Sequence, residues 1–195
     1  MARKAKVTRK TSEVKVNVDI TLDGAGSYDI ETGIPFFNHM LAQFAKHGLF
    51  DLRIRALGDL QVDHHHTVED VGIALGEAVS KALGEKSGIT RFGDCLLPFD
   101  ETLVNTAVDL SGRPYFVFNA KELSGKVGDF DAELCEEFFK SFSNTLQCNL
   151  HIELKYGGNL HHIIEAMFKS VARALDGAMA LNPRSNDVPS TKGRL

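Results

Sequence analysis

Two short stretches of the sequence carry matched sets of side chains that could bind metal ions. In each, two adjacent histidines are followed by a glutamate four positions after the first histidine. Because residues four apart lie on one face of a helix, that histidine and glutamate point the same way. Imidazoles and a carboxylate that converge at a helix start are typical of a divalent transition-metal site. The residues are His65, His66 and Glu69 in DHHHTVED, and His161, His162 and Glu165 in HHIIE.

Two further histidines complete a predicted set of eight ligands. His39 lies in PFFNHML and His151 in NLHIEL, although each alone could be an ordinary structural histidine. Eight ligands divide into two sites of four, and adjacent histidines on a helix diverge by about 100°, so we expect one of each pair to serve each metal. The lack of cysteine ligands favours Mn²⁺ or Fe²⁺ over structural zinc. His64, just before the first pair, is predicted to lie outside the metal site.

Composition limits the class of protein. The chain has 195 residues and a formal net charge of −4, which argues against a general nucleic-acid-binding surface. No apolar run approaches the ~20 residues of a membrane span, and no apolar segment follows the basic N-terminus as in a signal peptide. Three widely spaced cysteines indicate reduced thiols rather than a disulfide framework. We therefore expect a cytoplasmic protein that binds neither nucleic acid nor membrane.

Hydrophobic periodicity predicts the elements that position the ligands. Alternating apolar residues predict strands, and apolar residues spaced three or four apart predict helices. Aligning the two histidine pairs, an offset of 96 positions from 65 to 161, also aligns Phe44 with Phe142 after a two-residue gap. This predicts two strand–strand–helix–strand–helix halves. The predicted strands span 13–22, 28–30, 50–57, 102–110, 115–119 and 149–154, and the helices span 34–47, 67–83, 132–146 and 161–179.

The same pattern predicts the organisation of the chain. We predict a flexible N-terminal arm over 1–12, a first half over 13–90 and a second half over 91–181. A hinge is expected over 85–93. The tail over 182–195 lacks periodicity and is expected to contribute to the active site.

The sequence resembles imidazoleglycerol-phosphate dehydratase, a family of histidine biosynthesis. The similarity runs from about Lys10 to the C-terminus and is carried by TGIPFFNHML, DHHHTVEDVGIALG, RFGD, DLSGRPY, HHIIEAMFKS and PSTKG. Many members have aspartate where this chain has His64. No phosphatase domain accompanies the similarity, so the monofunctional form is expected.

The resemblance implies a fold, a cofactor and an assembly. The fold is α+β, of the ribosomal protein S5 domain 2-like type, with two pseudo-symmetric halves, each a four-stranded mixed sheet with two helices on one face. The cofactor is two Mn²⁺ ions per subunit, or Fe²⁺ or another divalent ion in their place. The assembly is a homo-oligomer of cubic symmetry, a 24-mer, whose active sites lie between subunits.

The implied reaction is the dehydration of D-erythro-imidazoleglycerol phosphate to imidazole-acetol phosphate. The departing proton lies on a carbon without a neighbouring carbonyl, so direct abstraction is unfavourable. Metals on the ring nitrogens would stabilise an imidazolate that can expel the hydroxyl through a diazafulvene-like intermediate, and a carboxylate would transfer the proton. The resemblance implies Glu13 as that carboxylate, with Glu165 and His65 completing the catalytic set. Alternatively, Glu13 is only an exposed charge that begins a strand.

A phosphorylated substrate requires oxyanion-binding side chains, and the forked donors of arginine suit it well. The two arginines chosen lie at predicted turns, where a solvated surface residue is the alternative. The tail residues could instead be disordered. For the two residues on the first helix, substrate contact and no function are equally expected. The predicted substrate-binding residues are Gln43, His47, Arg91, Arg113, Lys169, Ser190 and Lys192.

Two other functions remain open from the sequence. A dinuclear metallohydrolase acting on a phosphoester would use the same metals and cations, with water at the open positions. A metal-storage module would need the histidines alone, so the predicted phosphate-binding cations argue against it. Binding of an imidazole or triazole that carries a phosphate or phosphonate would separate the dehydratase from both.

Overall fold

Two similar halves, each of four strands and two helices, make up the fold. The computed structural model describes residues 3–120 and 123–195. The elements are β1 (Lys4–Lys10), β2 (Lys15–Thr21), β3 (Tyr28–Glu31), α1 (Pro35–His47), β4 (Asp51–Leu57), α2 (His65–Leu83), β5 (Phe92–Phe99), β6 (Thr102–Asp109), β7 (Tyr115–Asn119), β8 (Lys126–Val127), β9 (Phe130–Asp131), α3 (Leu134–Leu146), β10 (Asn149–Tyr156) and α4 (Leu160–Met179).

The two four-stranded sheets have the same topology. Their strand orders are β1-β2-β4-β3 and β5-β6-β10-β7. In each sheet the last pair is parallel and the other pairs are antiparallel. The small β8–β9 hairpin belongs to the second half alone among the described residues. The predicted α+β fold with two mixed, pseudo-symmetric four-stranded sheets is confirmed.

The four helices lie between the two sheets and join the halves through one core. Helix α2 packs on β1 and β2 and against α3, whereas α4 packs on β5 and β6 and against α1. Phenylalanine rings cross this boundary, since the Phe37 ring centroid on α1 lies 5.4 Å from that of Phe138 on α3 and 6.5 Å from that of Phe168 on α4. Residues from both halves form one continuous buried cluster. Within the described chain, no helix is long and apolar enough to cross a membrane.

Glycines set how closely α2 approaches α3. A Cβ atom at Gly72 would lie 2.8 Å from the carbonyl oxygen of Phe138, and one at Gly76 would lie 2.4 Å from that of Phe142. Real Cβ atoms do not approach an oxygen so closely. The close contact between α2 and α3 therefore requires glycine, which has no Cβ atom, at these two positions.

The predicted flexible arm is wrong for residues 4–10, which form the edge strand β1. Its register runs from Lys4 opposite Thr21 to Lys10 opposite Lys15. Val7 is buried, and the lysines of this strand are exposed. Lysines on an edge strand discourage pairing with other chains, and here they also hid the alternation that marks a strand.

Strand β5 is also absent from the predicted elements, since residues 92–93 fall in the predicted hinge and residues 94–99 in no predicted element. Gly93 and Pro98 interrupt its sequence, FGDCLLPF. Proline is tolerated because β5 is an edge strand with one unpaired side. Glycine is required because a Cβ atom at position 93 would lie 2.0 Å from the carbonyl oxygen of Ala174.

Candidate functional site

Three predicted metal ligands from two helices of different halves converge. His39 Nε2 on α1 lies 3.1 Å, and His161 Nε2 on α4 lies 3.0 Å, from Glu165 Oε2. Glu165 is buried, whereas the two imidazoles reach toward solvent. Ligand atoms at neighbouring corners of an octahedral metal site lie roughly 3 Å apart, since each lies about 2.1 Å from the ion. The three side chains therefore fit a divalent metal with an open side, and we call them the His39 cluster.

Lys169 supports Glu165 from the side away from the imidazoles. Its Nζ lies 2.6 Å from Glu165 Oε1 and 3.8 Å from the centroid of the Phe99 ring. Burial alone would raise the pKa of Glu165, but hydrogen bonds from Lys169 and His39 hold that pKa below its ordinary value. The carboxylate is therefore ionised near neutral pH, as a metal ligand must be. The structure places Lys169 in this ion pair rather than beside the predicted phosphate-binding arginines.

The second histidine of each pair is held by a carboxylate. His66 Nδ1 lies 3.0 Å from Asp59 Oδ2, and His162 Nδ1 lies 2.9 Å from Glu101 Oε2. These hydrogen bonds raise the pKa of both histidines. Sequence reasoning missed Asp59 and Glu101, since neither stands at a spacing from its histidine that marks a site. His162 also lies with Asp100 and Glu101 in a group whose possible ligand atoms fall within 4.8 Å of one another.

The remaining first-half ligands do not form a three-residue cluster among the described residues of this chain. His65 is exposed at the start of α2, and Glu69 is half-buried one turn later. Glu13 lies near the second histidine of this pair, with its Oε2 3.9 Å from His66 Nδ1. Its turn is fixed because the Thr11 hydroxyl accepts hydrogen bonds from the amides of Glu13 and Val14. The predicted acid/base is thus placed next to the first histidine pair.

His151 faces away from every other predicted metal ligand. On β10 its neighbours Leu150 and Ile152 point into the core that contains the helices, so His151 lies on the outer face of the sheet. Its ring stacks on Tyr115 at a centroid distance of 6.3 Å. Because the sheet separates it from α4, this imidazole cannot join the His39 cluster of its own chain.

A cationic pocket lies where the C-terminal tail crosses the second half. It has a volume of about 580 Å³. Four of the predicted substrate-binding residues lie there, together with Thr191 and Arg194, which are not among the predicted residues. The main polar residues of the pocket are Arg91, Arg113, Ser190, Thr191, Lys192 and Arg194.

Arg91 joins this pocket to the sheet. Its Nε and Nη2 donate to the two carboxylate oxygens of Asp109 at 2.7 and 3.1 Å, and its Nη1 donates to the carbonyl oxygen of Pro189 at 2.9 Å. The hydrogen bond to Asp109 raises the pKa of Arg91, so it remains a cation. A guanidinium has five N–H donors, and two therefore remain for an anion.

The cationic pocket and the His39 cluster lie at opposite ends of α4. His161 stands in the first turn of this helix, whereas the Arg91 amide donates to the carbonyl oxygen of Ala178 near its last turn. At 1.5 Å per residue, these ends are roughly 25 Å apart. A small phosphorylated imidazole cannot span that distance within one chain.

The other predicted residues lie on or near α1. Gln43 is half-buried one turn after His39, and His47 follows one turn later. Burial, with help from the positive charges of Lys169 and Arg173, lowers the pKa of His47 and favours its neutral form. His64 precedes α2 and lines a separate cavity with Phe36 and the β8–β9 turn.

Comparison with known proteins decides the family. The family model for imidazoleglycerol-phosphate dehydratase matches residues 32–175, a span that includes both histidine pairs. The chain is 55% identical to the imidazoleglycerol-phosphate dehydratase of Pelobacter propionicus and 54% identical to that of Trichlorobacter lovleyi, in both cases over the full length of both proteins. The chain belongs to the imidazoleglycerol-phosphate dehydratase family.

Solved structures of imidazoleglycerol-phosphate dehydratases agree with this family. The crystal structure from Staphylococcus aureus has a TM-score of 0.83 and 41% identity, and it covers 92% of this chain and 99% of that one. The structure from Pyrococcus furiosus, in complex with (S)-C348, has a TM-score of 0.81 and 36% identity, and it covers 97% of this chain and 100% of that one. The predicted enzyme class, a hydro-lyase of histidine biosynthesis, is confirmed. The metallohydrolase and storage alternatives are set aside.

Proposed function

We propose that this imidazoleglycerol-phosphate dehydratase uses two divalent ions per chain, with Mn²⁺ as the expected ion. The observation that carries the proposal is the convergence of His39, His161 and Glu165 at the separation that an octahedral ion requires. One histidine of each pair would serve each ion, so that the eight ligands divide into two sites of four. The proposed ligands are His39, His65, His66, Glu69, His151, His161, His162 and Glu165.

The reaction removes a hydroxyl from the carbon attached to the imidazole ring. Ions held by these ligands would supply Lewis acidity to the substrate imidazole and so would favour its imidazolate form. The electron-rich ring would then expel the hydroxyl, which takes up a proton from the acid/base and leaves as water, to give a diazafulvene-like intermediate. Loss of the proton from the neighbouring carbon then leads through an enol to the ketone, imidazole-acetol phosphate.

Glu13 is the proposed acid/base for the proton transfers. Its exposed carboxylate lies beside His66, in a turn that hydrogen bonds to Thr11 hold in place. An exposed carboxylate near the proposed metal ligands can take up and return a proton. Glu165 and His65 act with it by holding the ions.

The cationic pocket is the proposed binding site for the substrate phosphate. Arg113 and Lys192 add to the two free donors of Arg91, and the Ser190 hydroxyl adds a neutral one. Arg194, also in the pocket, extends the predicted set. Lys169, Gln43 and His47 are placed nearer to the metal ligands and are proposed to contact the substrate there.

The active site is proposed to form between subunits of a homo-oligomer. Two features of the chain support this proposal. The phosphate pocket lies roughly 25 Å along α4 from the His39 cluster, and His151 lies on the face of its sheet opposite the helices. Both can reach a metal site only on another copy. A 24-mer is the assembly that we expect. The three free thiols of the chain fit the proposed cytoplasmic location, where cysteines stay reduced.

Metal depletion tests the metal requirement. Protein stripped with a chelator should lose dehydration of imidazoleglycerol phosphate, and activity should return as about two Mn²⁺ ions bind per chain. Return of full activity with no bound ion would refute the proposal.

Subunit mixing tests where the site forms. His161→Ala should destroy the metal cluster and Arg113→Ala should weaken phosphate binding, so that each homo-oligomer is nearly inactive. Co-expressed with different tags and purified as mixed oligomers, the two should regain part of the activity, because some sites receive both intact parts. A mixture of His39→Ala and His161→Ala is the matched control, since both changes damage the same cluster. Activity no higher in the first mixture than in the control would place the whole site in one chain.

A further inference from the structure

Two carboxylates hold the second histidine of each pair in the same way. His66 Nδ1 faces Asp59 at 3.0 Å, and His162 Nδ1 faces Glu101 at 2.9 Å. A carboxylate can only accept a hydrogen bond, so each Nδ1 must carry the proton. In the neutral ring this leaves the Nε2 lone pair free. The first histidine of the second pair differs, because His161 directs its Nε2 at Glu165.

The oxygens of Glu101 are already occupied by other contacts. Its Oε2 accepts from His162, whereas its Oε1 accepts from the amide of Asn159 at 2.7 Å and from that of Gly158 at 3.4 Å. The Asn159 side chain in turn accepts from the His161 amide and begins α4. Glu101 therefore fixes both the ring and the helix start that carries it. Such contacts are those of a supporting residue rather than of a metal ligand.

We propose that Asp59 and Glu101 are matched positioning residues, which fix the Nδ1–H tautomer of His66 and His162 and direct each Nε2 at a metal ion. The inference rests on the proposed metal sites and deepens them. Histidines that bind metal commonly donate their other N–H to a carboxylate, and loss of that partner typically weakens metal binding 10- to 100-fold. The proposal assigns this role to two residues that come from different parts of the fold.

Titration of Mn²⁺ into the metal-free oligomer, with free Mn²⁺ followed by electron paramagnetic resonance, tests the proposal without reliance on activity. Asp59→Ala and Glu101→Ala should each lower the affinity for one of the two Mn²⁺ ions by about 10- to 100-fold. Asp59→Asn and Glu101→Gln should retain most of the affinity, because an amide oxygen still accepts from Nδ1–H. Glu101→Gln also keeps an oxygen that accepts from the Asn159 amide. It therefore keeps the test decisive if Glu101→Ala does not fold. Glu77→Ala, on the same helix as His66 but about three turns away, is the control for a lost carboxylate.

The possible failures are distinct. If the unaltered protein binds no Mn²⁺, the proposed metal function is wrong. If it binds two ions and both alanine variants bind them equally well, Asp59 and Glu101 are not positioning residues. If Glu101→Gln loses one ion as completely as Glu101→Ala, Glu101 is itself a ligand, together with Asp100 and His162, and the inference is overturned.

Discussion

The change Gly76→Ala should loosen the contact that joins the two halves. The added Cβ atom would lie 2.4 Å from the carbonyl oxygen of Phe142 and 2.2 Å from the Thr145 hydroxyl. The hydroxyl can rotate, but the carbonyl is helix backbone, so α2 and α3 must separate. The Thr145 hydroxyl lies 3.0 Å from the carbonyl oxygens of both Ile73 on α2 and Ser141 on α3, and the contact with Ile73, which joins the helices, would be strained or lost.

The magnitude follows from three contributions. Overpacking at a tight contact costs about 1–3 kcal/mol. Loss of the Thr145 hydrogen bond costs about 1 kcal/mol. The higher helix propensity of alanine relative to glycine offsets about 1 kcal/mol of this cost. We therefore expect Gly76→Ala to lower the free energy of unfolding by about 1–3 kcal/mol.

Urea unfolding of the metal-free protein at fixed chain concentration measures this change, because bound metal and subunit concentration both shift apparent stability. Gly177→Ala on α4 is the matched control. No neighbouring atom lies within 4 Å of a Cβ atom there, so the same substitution should raise the free energy of unfolding by about 0.5–1 kcal/mol. If Gly76→Ala stabilises the protein as much as Gly177→Ala, the close approach of α2 and α3 is not a constraint.

Two further predictions concern the carboxylates of the site. Hydrogen bonds from the Asn159 amide and His162 lower the pKa of Glu101 from 4.5 to about 2. Its contribution to stability is therefore complete above about pH 4.5 and is lost as the pH falls toward 2. The stability difference between the unaltered protein and Glu101→Gln in urea should shrink over that range, and a constant difference would contradict the assignment. Lys169→Met should lower the free energy of unfolding by about 3–5 kcal/mol, because it leaves the buried Glu165 carboxylate without its cation. Lys169→Arg keeps a cation and should lower the free energy of unfolding by less. An equal decrease in the two variants would contradict this explanation.

The sequence predicted the local part of the site but not its tertiary part. Spacing of four residues correctly placed His161 and Glu165 on one helix face, with 3.0 Å between their ligand atoms. The same spacing in the first half yields no contact between His65 and Glu69 among the described hydrogen bonds. The two halves differ in the residue that would complete the cluster. His39 on α1 reaches Glu165. The alignment that pairs Phe44 with Phe142 puts Glu137 at the position of α3 that corresponds to His39.

Glu137 lies 3.4 Å from Lys140 and is no ligand of a described cluster. Periodicity reports which face of a helix a residue occupies, but not which helix packs opposite. Six of the sheet strands, in contrast, could be predicted because alternation of buried side chains is itself a local signal, whereas the four-stranded arrangement was implied only by the resemblance to the family. The edge strands β1 and β5 could not be predicted, because lysine, glycine and proline mask the alternation of apolar residues in a strand with only one neighbour.

The repeated fold accounts for only one of the two carboxylates that hold the second histidines. The sheet registers match Leu52 on β4 to Leu150 on β10, and hence β2 to β6. The turn between β5 and β6, which carries Glu101, therefore corresponds to the turn between β1 and β2, which carries Glu13. Glu13 lies 3.9 Å from His66 Nδ1, whereas Asp59, from the loop before α2, lies 3.0 Å from it. The first half thus takes its nearer carboxylate from a segment that the second half does not use for this purpose, so duplication of the backbone alone does not explain the contact between Asp59 and His66.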